Sequence, residues 1–213
     1  MDYLFPDSVL LIFCKTPIAG QVKTRLQPAL SAEQAVLAHI ALTKMTLARA
    51  FEKPLCPVQL YCSPDTNHEF FKQCAESYPL TLATQRGNDL GNKMLHAFSD
   101  ALTHYRHAIL IGCDCPSLTV EDLRSALSEL HDDHDAVFAP AEDGGYTLVG
   151  LNSAQPNLFE NMSWGNKFVM AETRLRATDA NLKVYELDTQ WDVDHIEDWR
   201  RYLQKNTTAP LAH

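Results

Sequence analysis

The sequence predicts an α/β protein, a single domain built on a mainly parallel sheet with helices on both faces. Three observations predict it. Short apolar runs alternate with helical patterns almost from the first residue. The runs are continuously apolar, as strands covered on both faces are, not alternating as in a half-exposed sheet. The 213 residues, 46% hydrophobic and 21% charged, have an ordinary globular composition and enough chain for one substantial core.

Ser8 to Cys14 reads as the first strand, short, apolar and followed by turn signals. Ser31-Ala-Glu-Gln34 has capping-box spacing and opens an Ala/Leu-rich helix to about Phe51. Val58 to Cys62 is a second strand, Asn67 to Glu76 a short helix, and Leu80 to Ala83 a third strand. Between Asp89 and Tyr105, apolar residues at Leu90, Met94, Ala97, Phe98 and Ala101 mark one helical face. His107 to Gly112 is a fourth strand, and Thr119, with Asp122 three residues on, caps a helix to Leu130. Asp135 to Ala139 and Tyr146 to Leu151 complete the strands, and a last helix follows Asp194. With no internal linker or repeat, residues 1–204 are expected to form one domain and 205–213 a flexible tail.

The 27 acidic side chains outnumber the 18 basic ones, for a net charge of −9. That argues against a duplex nucleic-acid partner, which needs surplus Lys and Arg, while leaving room for small phosphate ligands. The longest apolar run, Val9 to Cys14, is too short to span a bilayer, and Met1-Asp2-Tyr3 lacks the basic start of a secretion signal. The six cysteines form no Cys-x-x-Cys pair and read as reduced, mostly buried thiols. A cytoplasmic protein with no membrane partner is expected.

Sheets of this kind bind ligands outside the carboxyl ends of their strands, so the chemistry is sought in the residues that follow each one. After the first strand, Lys15, Lys23 and Arg25 fall in a loop with Gly20 and Thr24 that can wrap a polyphosphate. A solvated basic loop is the plain alternative. A P-loop is excluded, because Val22 precedes Lys23 where that motif demands Gly. After the fourth strand, Asp114 can hold a divalent cation bridging phosphate oxygens, or can simply turn the chain ahead of Thr119. A haloacid-dehalogenase-like nucleophile is set aside, since the first strand ends in Cys14-Lys15. After the fifth strand, Glu142, Asp143, Gly144, Gly145 and Tyr146 read as a sugar or acceptor rim, or as a hairpin turn. Asp194 and Glu197 fit a helix start, whereas Asp192 has no such duty and becomes a metal ligand if its turn folds back beside Asp114. His131-Asp-Asp-His134 reads as a solvated helix end, and a thiolate metal site at Cys113 and Cys115 lacks a matching second pair.

These stretches, with Asp89-Leu-Gly91 and Ser163-Trp-Gly165, occur in an order that resembles a bacterial glycosyltransferase-like family. Its members are often found beside radical-SAM and selenium- or arsenosugar-linked genes. The resemblance spans nearly the whole chain and implies a glycosyltransferase-A-type fold of the nucleotide-diphospho-sugar transferase superfamily. It implies nucleotide phosphates near Lys15, Lys23 and Arg25, and Mg²⁺ or Mn²⁺ on Asp114; Gly20, Thr24, Asp89 and Gly91 are expected to join the phosphate site, and Asp192 to be the second metal ligand. It places the acceptor or sugar near Asp143, Gly144 and Gly145, a pocket that Glu142, Tyr146 and Trp164 are expected to complete; Lys23, Arg25, Asp114 and Asp143 are the expected catalytic residues, with Asp143 or Glu142 as the base. Two positions depart from the family pattern: Asn88 stands for Gly and Lys93 for Arg. The Asp-x-Asp metal motif of many such transferases is reduced to Asp114 alone, which gives Asp192 more weight. The expected function is metal-dependent transfer from a nucleotide sugar to a small acceptor. The alternatives are nucleotidyl transfer from a nucleoside triphosphate with pyrophosphate release, and a non-catalytic nucleotide-binding module. Oligomeric state is open.

Overall fold

The structure, a computed structural model, describes residues 2–27 and 29–207. Strands β1 (Ser8–Lys15), β2 (Val58–Ser63), β3 (Thr81–Thr84), β4 (His107–Gly112), β5 (Ala136–Pro140), β6 (Tyr146–Leu151) and β7 (Val184–Glu186) form one sheet in the order β3-β2-β1-β4-β6-β5-β7. Every pairing is parallel except those of β6, which returns from β5 as a hairpin and lies antiparallel to β5 and β4. The mainly parallel α/β sheet read from the sequence is therefore the observed fold.

Helices α1 (Ala32–Ala50), α2 (Glu69–Ser77) and α4 (Val120–His131) cover one face, where Leu10, Ile12 and Cys14 of β1 point. Helices α3 (Leu90–Ala101), α5 (Pro156–Phe159) and α6 (Val169–Asp179) cover the other, which receives Val9, Leu11 and Phe13. Strand alternation sends successive residues of β1 into opposite cores, which is why the run is apolar throughout. Helix α7 (Ile196–Thr207) joins a smaller cluster in which Trp199 packs on buried Leu26, Leu42, Trp191 and Val193. Reciprocal capping boxes at Ser31/Gln34 and Thr119/Asp122 fix the starts of α1 and α4, each contributing about 1 kcal/mol. No helix among the described residues is long and apolar enough to cross a membrane.

Several boundaries differ from the sequence reading. Helix α2 begins at Glu69 because the His68 ring nitrogen caps Phe70 N–H. Helix α3 stops at Ala101, short of Tyr105. Helix α7 runs to Thr207, past the expected boundary at 204, and residues 208–213 lie outside the described residues. Asp194 is not the cap of α7. The Asp198 carboxylate instead accepts from the backbone N–H groups of Asp194 and His195, and Asp194 is freed to meet Arg25. Strand β7 and helix α6 were not anticipated: β7 is very short, and the buried face of α6 (Val169, Met170, Thr173 and Ala177) includes a polar Thr while Leu175 is exposed on the other side, which blurs its apolar pattern.

The chain leaves β1 toward β2 and β3 on one side and reaches β4 on the other. The β1–β4 boundary is thus the switch point at which the crevice of such sheets opens. Phe13 and Gly112 are the last paired residues there, and the loops after them close over the crevice.

Candidate active site

The loop after β1 is pinned by two buried apolar side chains, Val22 and Leu26. Between them Lys23 adopts a left-handed backbone conformation, with φ of 47°. That conformation costs a non-glycine residue roughly 1 kcal/mol, and it turns the side chain inward. Lys23 Nζ donates to Asp114 Oδ2 at 2.7 Å and to the carbonyl of Val193, and the side chain is only 8% exposed. Burial works to lower the Lys23 pKa, but the Asp114 carboxylate beside it prevails and holds it above its usual value. Desolvation likewise works to raise the Asp114 pKa, and the Lys23 charge prevails, keeping it below the usual carboxylate range. The pair is therefore ionised, with 37% of the Asp114 side chain still exposed.

Gly112 makes room for that carboxylate. A Cβ on Gly112 would lie 2.7 Å from Asp114 Oδ1, closer than real contacts allow. Val193 N–H donates to the Asp114 carbonyl at 2.9 Å, so the turn carrying Asp192 is tied alongside. Asp192 is pushed up to about 7, first by burial and then by the neighbouring charges of Asp114 and Asp143. Lys23 offsets this only in part. Arg25, on the loop, pairs with Asp194.

A cleft of about 470 Å³ follows from this arrangement. Lys15, Lys23, Thr24 and Arg25 line it together with Gly112, Asp114 and Asp194, and Phe13 and Leu90 add apolar surface. Phe13, Leu90 and Gly112 also border an adjoining pocket of about 240 Å³, reached past Asp143 and Gly145 and lined by Met94, Tyr146 and Trp164. A third hollow, of about 350 Å³, contains Glu142, Asp143, Asp192 and Asp194. The three share residues pairwise and form one crevice along the carboxyl edge of the sheet.

Other residues singled out in the sequence have different duties here. Asp89 caps α3, its carboxylate accepting from the Asn92 backbone at 2.7 Å and side-chain amide at 2.8 Å, and it does not line the cleft. Gly91 lets α3 approach its neighbours: a Cβ there would come within 2.4 Å of the Phe159 carbonyl and 2.8 Å of Trp164 Nε1. Gly20 sits in an exposed turn away from the cleft lining. Glu142 is held by both guanidinium nitrogens of Arg201, which lies over the Trp191 ring at 4.1 Å. Asp143 Oδ1 accepts from Gly145 N–H, and the Gly144 carbonyl accepts from Met170 N–H, fastening the rim to α6. Tyr146 packs edge-on to Trp164, and its hydroxyl is buried without a hydrogen-bond partner.

Sequence reasoning missed a buried trio on the cleft floor, Cys14, His39 and Cys113, whose ligand atoms lie within 4.8 Å of one another. His39 Nε2 lies 2.8 Å from the Lys15 carbonyl and 3.7 Å from Cys14 Sγ. Its only sequence signal was a histidine on the apolar side of α1. Cys115 faces away, with its thiol directed to the Trp191 carbonyl.

Fold and crevice together define a protein of the nucleotide-diphospho-sugar transferase superfamily. A family model described as "Uncharacterized protein conserved in bacteria (DUF2064)" matches residues 46–166, and the chain belongs to that family. No curated protein matches it. A solved structure from Desulfovibrio desulfuricans G20, provisionally designated a nucleotide-diphospho-sugar transferase, is 29% identical. It superposes with a TM-score of 0.87 over 97% of this chain and 90% of that one. The 4-diphosphocytidyl-2C-methyl-D-erythritol synthase of Anaerococcus prevotii DSM 20548 shares the fold at 11% identity and a TM-score of 0.63, over 93% of this chain and 96% of its own. A CMP:2-keto-3-deoxy-manno-octonic acid synthetase solved with CTP does so at 11% and 0.57, over 94% and 99%.

Proposed function

We propose that the protein is a metal-dependent transferase that takes a nucleotide sugar as donor and passes the sugar to a small acceptor. The carrying observation is the gathering of Lys15, Lys23 and Arg25 with Asp114, Asp192 and Asp194 along one crevice. Two of these cations are already paired with carboxylates, so the cleft offers little net positive charge to a diphosphate. A diphosphate binds there when it brings a divalent cation, and Asp192, left destabilised as a charge by Asp114 and Asp143, is suited to receive one. Asp114 and Asp192 would hold Mg²⁺ or Mn²⁺, which when bound offsets charge on the departing diphosphate. Lys23, released from Asp114, and Arg25, released from Asp194, would then donate to phosphate oxygens. Asp143, at the junction with the smaller pocket, is the proposed base for the acceptor hydroxyl, because Glu142 is occupied by Arg201. Tyr146 and Trp164 would bound the acceptor, with the unpartnered Tyr146 hydroxyl able to meet one of its polar atoms. The superposition with the Desulfovibrio protein and the resemblance to the glycosyltransferase-like family support the sugar donor.

The test is release of nucleoside diphosphate from a panel of nucleotide sugars with Mg²⁺ or Mn²⁺. A second reading, nucleotidyl transfer, is favoured by one observation: once Lys23 and Arg25 leave their carboxylates, the loop presents them together with Lys15, more positive charge than a diphosphate alone calls for. Pyrophosphate formed from a nucleoside triphosphate and a sugar phosphate would select it. Nucleotide binding with neither product would reduce the protein to a binding module.

A further inference from the structure

At the opposite end of the β1–β4 pair, three residues distant in sequence converge. Asp7 precedes β1, His107 begins β4 and His131 ends α4. A ligand atom of each lies within 4.8 Å of the other two. We propose that Asp7, His107 and His131 form a binding site for a divalent cation of the zinc type, separate from the nucleotide crevice.

Hydrogen bonding already prepares one of the three ligands, His107. Asn152 spends its amide N–H groups on the carbonyls of Leu130 and His134, at 3.3 and 2.7 Å. Its Oδ1 therefore faces His107 Nδ1, 2.6 Å away, and Nδ1 must carry the proton. That fixes the tautomer and leaves a lone pair on His107 Nε2, the outer-shell arrangement that orients metal-binding histidines. His131 Nε2 lies 3.3 Å from Asp7 Oδ1. Two ligands at bond lengths of about 2.0 Å in a tetrahedron stand about 3.3 Å apart, so this edge has the spacing a zinc ion requires. The ion would take the place that Ser8 Oγ, 3.1 Å away, now holds at His131 Nε2. The imidazole rings of His107 and His131 lie 4.1 Å apart, which disfavours charge on both. Burial, followed by the His107 charge, holds His131 below its usual pKa.

The surroundings suit a partly open site. The Asp7 and His131 side chains are 41% and 32% exposed, leaving the fourth position to water. Ser8 Oγ, 3.1 Å from His131 Nε2, is a further polar neighbour. Arg106 approaches only the other Asp7 oxygen, at 4.0 Å, and is 82% exposed, so it can swing into solvent. Two imidazoles and one carboxylate favour zinc over Mg²⁺, which prefers oxygen ligands.

The experiment is a Zn²⁺ titration of the metal-free full chain against a chromophoric chelator, with thermal unfolding followed in parallel. The expected result is one site whose loading raises Tm. Its affinity should fall at least about tenfold in His131→Gln and in His107→Ala, and by about tenfold in Asn152→Ala through loss of orientation. His131 lies at an exposed helix end, so His131→Gln keeps the test valid if His107→Ala fails to fold. Asp114→Asn and Cys14→Ser/Cys113→Ser chains should bind Zn²⁺ like the parent. Zn²⁺ affinity unchanged in His131→Gln, or lost in the Cys14→Ser/Cys113→Ser chain, would overturn the proposal.

Discussion

The two ends of the β1–β4 pair carry polar clusters of opposite design. At the carboxyl end, Lys23 and Asp114 are an ion pair withdrawn from water, tied to the Val193 carbonyl and beside a second carboxylate that resists ionisation. At the amino end, Asp7 and His131 are partly exposed, 3.3 Å apart, and the two histidines hydrogen-bond to uncharged partners, Asn152 and Ser8. The first cluster has a substantial electrostatic cost that a ligand can relieve, so ligand binding there must rearrange existing pairs. The second asks only that a neutral hydrogen bond, that of Ser8 Oγ at His131 Nε2, give way to a cation. Two elements that differ little in apolar pattern thus end in sites with different thresholds for occupation.

The largest effect that would break this contrast is at Asp114. Asp114→Asn removes the charge that holds Lys23 and the proposed cation, and transfer activity should fall about 10³-fold or more. The unpaired Lys23 should also destabilise the fold by about 2 kcal/mol, less than for a fully buried pair because Asp114 is partly exposed. Retained nucleoside-diphosphate or pyrophosphate formation in this variant would remove Asp114 from the machinery.

Gly112→Ala tests the same point without altering a charge. The new methyl would press on Asp114 Oδ1, from 2.7 Å in the present geometry, and should displace the carboxylate by several tenths of an ångström. Activity should fall about 10- to 100-fold with stability changed by about 1 kcal/mol or less. Full activity would mean that the exact position of Asp114 is unimportant.

What the sequence revealed and what it hid follow from the range of the interactions involved. Apolar runs report burial directly, so β1, β2, β4, β5 and β6 were legible, as were the capping boxes of α1 and α4, whose partners lie three residues apart. The Lys23–Asp114 pair spans 91 positions and the Cys14–His39 contact 25, and no local spacing announces either. Asp89 and Gly91 show the converse. Their motif was visible, but capping and close packing of α3 account for both residues. The His131-Asp-Asp-His134 run is the solvated helix end that the sequence suggests, with His131, Asp132 and Asp133 exposed, but its neighbours Asp7 and His107 come from other elements and no local spacing announces them.

A smaller effect is expected at Asp192. Its folded pKa of about 7 exceeds the unfolded value, which is near 4. Between those limits the folded state binds more protons, so stability declines as pH rises from about 4 to 7 and the penalty is complete above 7. Asp192→Asn should therefore stabilise the chain by about 2 kcal/mol at pH 8, after allowance for solvent screening, and by nearly nothing at pH 4. Urea denaturation at the two pH values measures this directly. In the parent, saturating Mg²⁺ should narrow the difference if Asp192 takes part in holding the cation. An equal gain at both pH values would assign the effect to packing instead of charge.

The smallest expected effect concerns the apolar pocket. The Tyr146 hydroxyl is buried without a partner, and burial alone raises its pKa. Tyr146→Phe removes an unsatisfied polar group and should leave stability unchanged or raise it by about 1 kcal/mol. The ring contacts with Phe138 and Trp164 survive the change, so the pocket keeps its shape. If the hydroxyl meets the acceptor, KM for the acceptor should rise about 5- to 10-fold while the donor KM stays constant. A stability gain with no change in either KM would make Tyr146 a wall of the pocket and leave acceptor recognition to Asp143 and Trp164. Either outcome separates the charged half of the crevice, where substitutions act on the reaction, from the apolar half, where they act on the choice of acceptor.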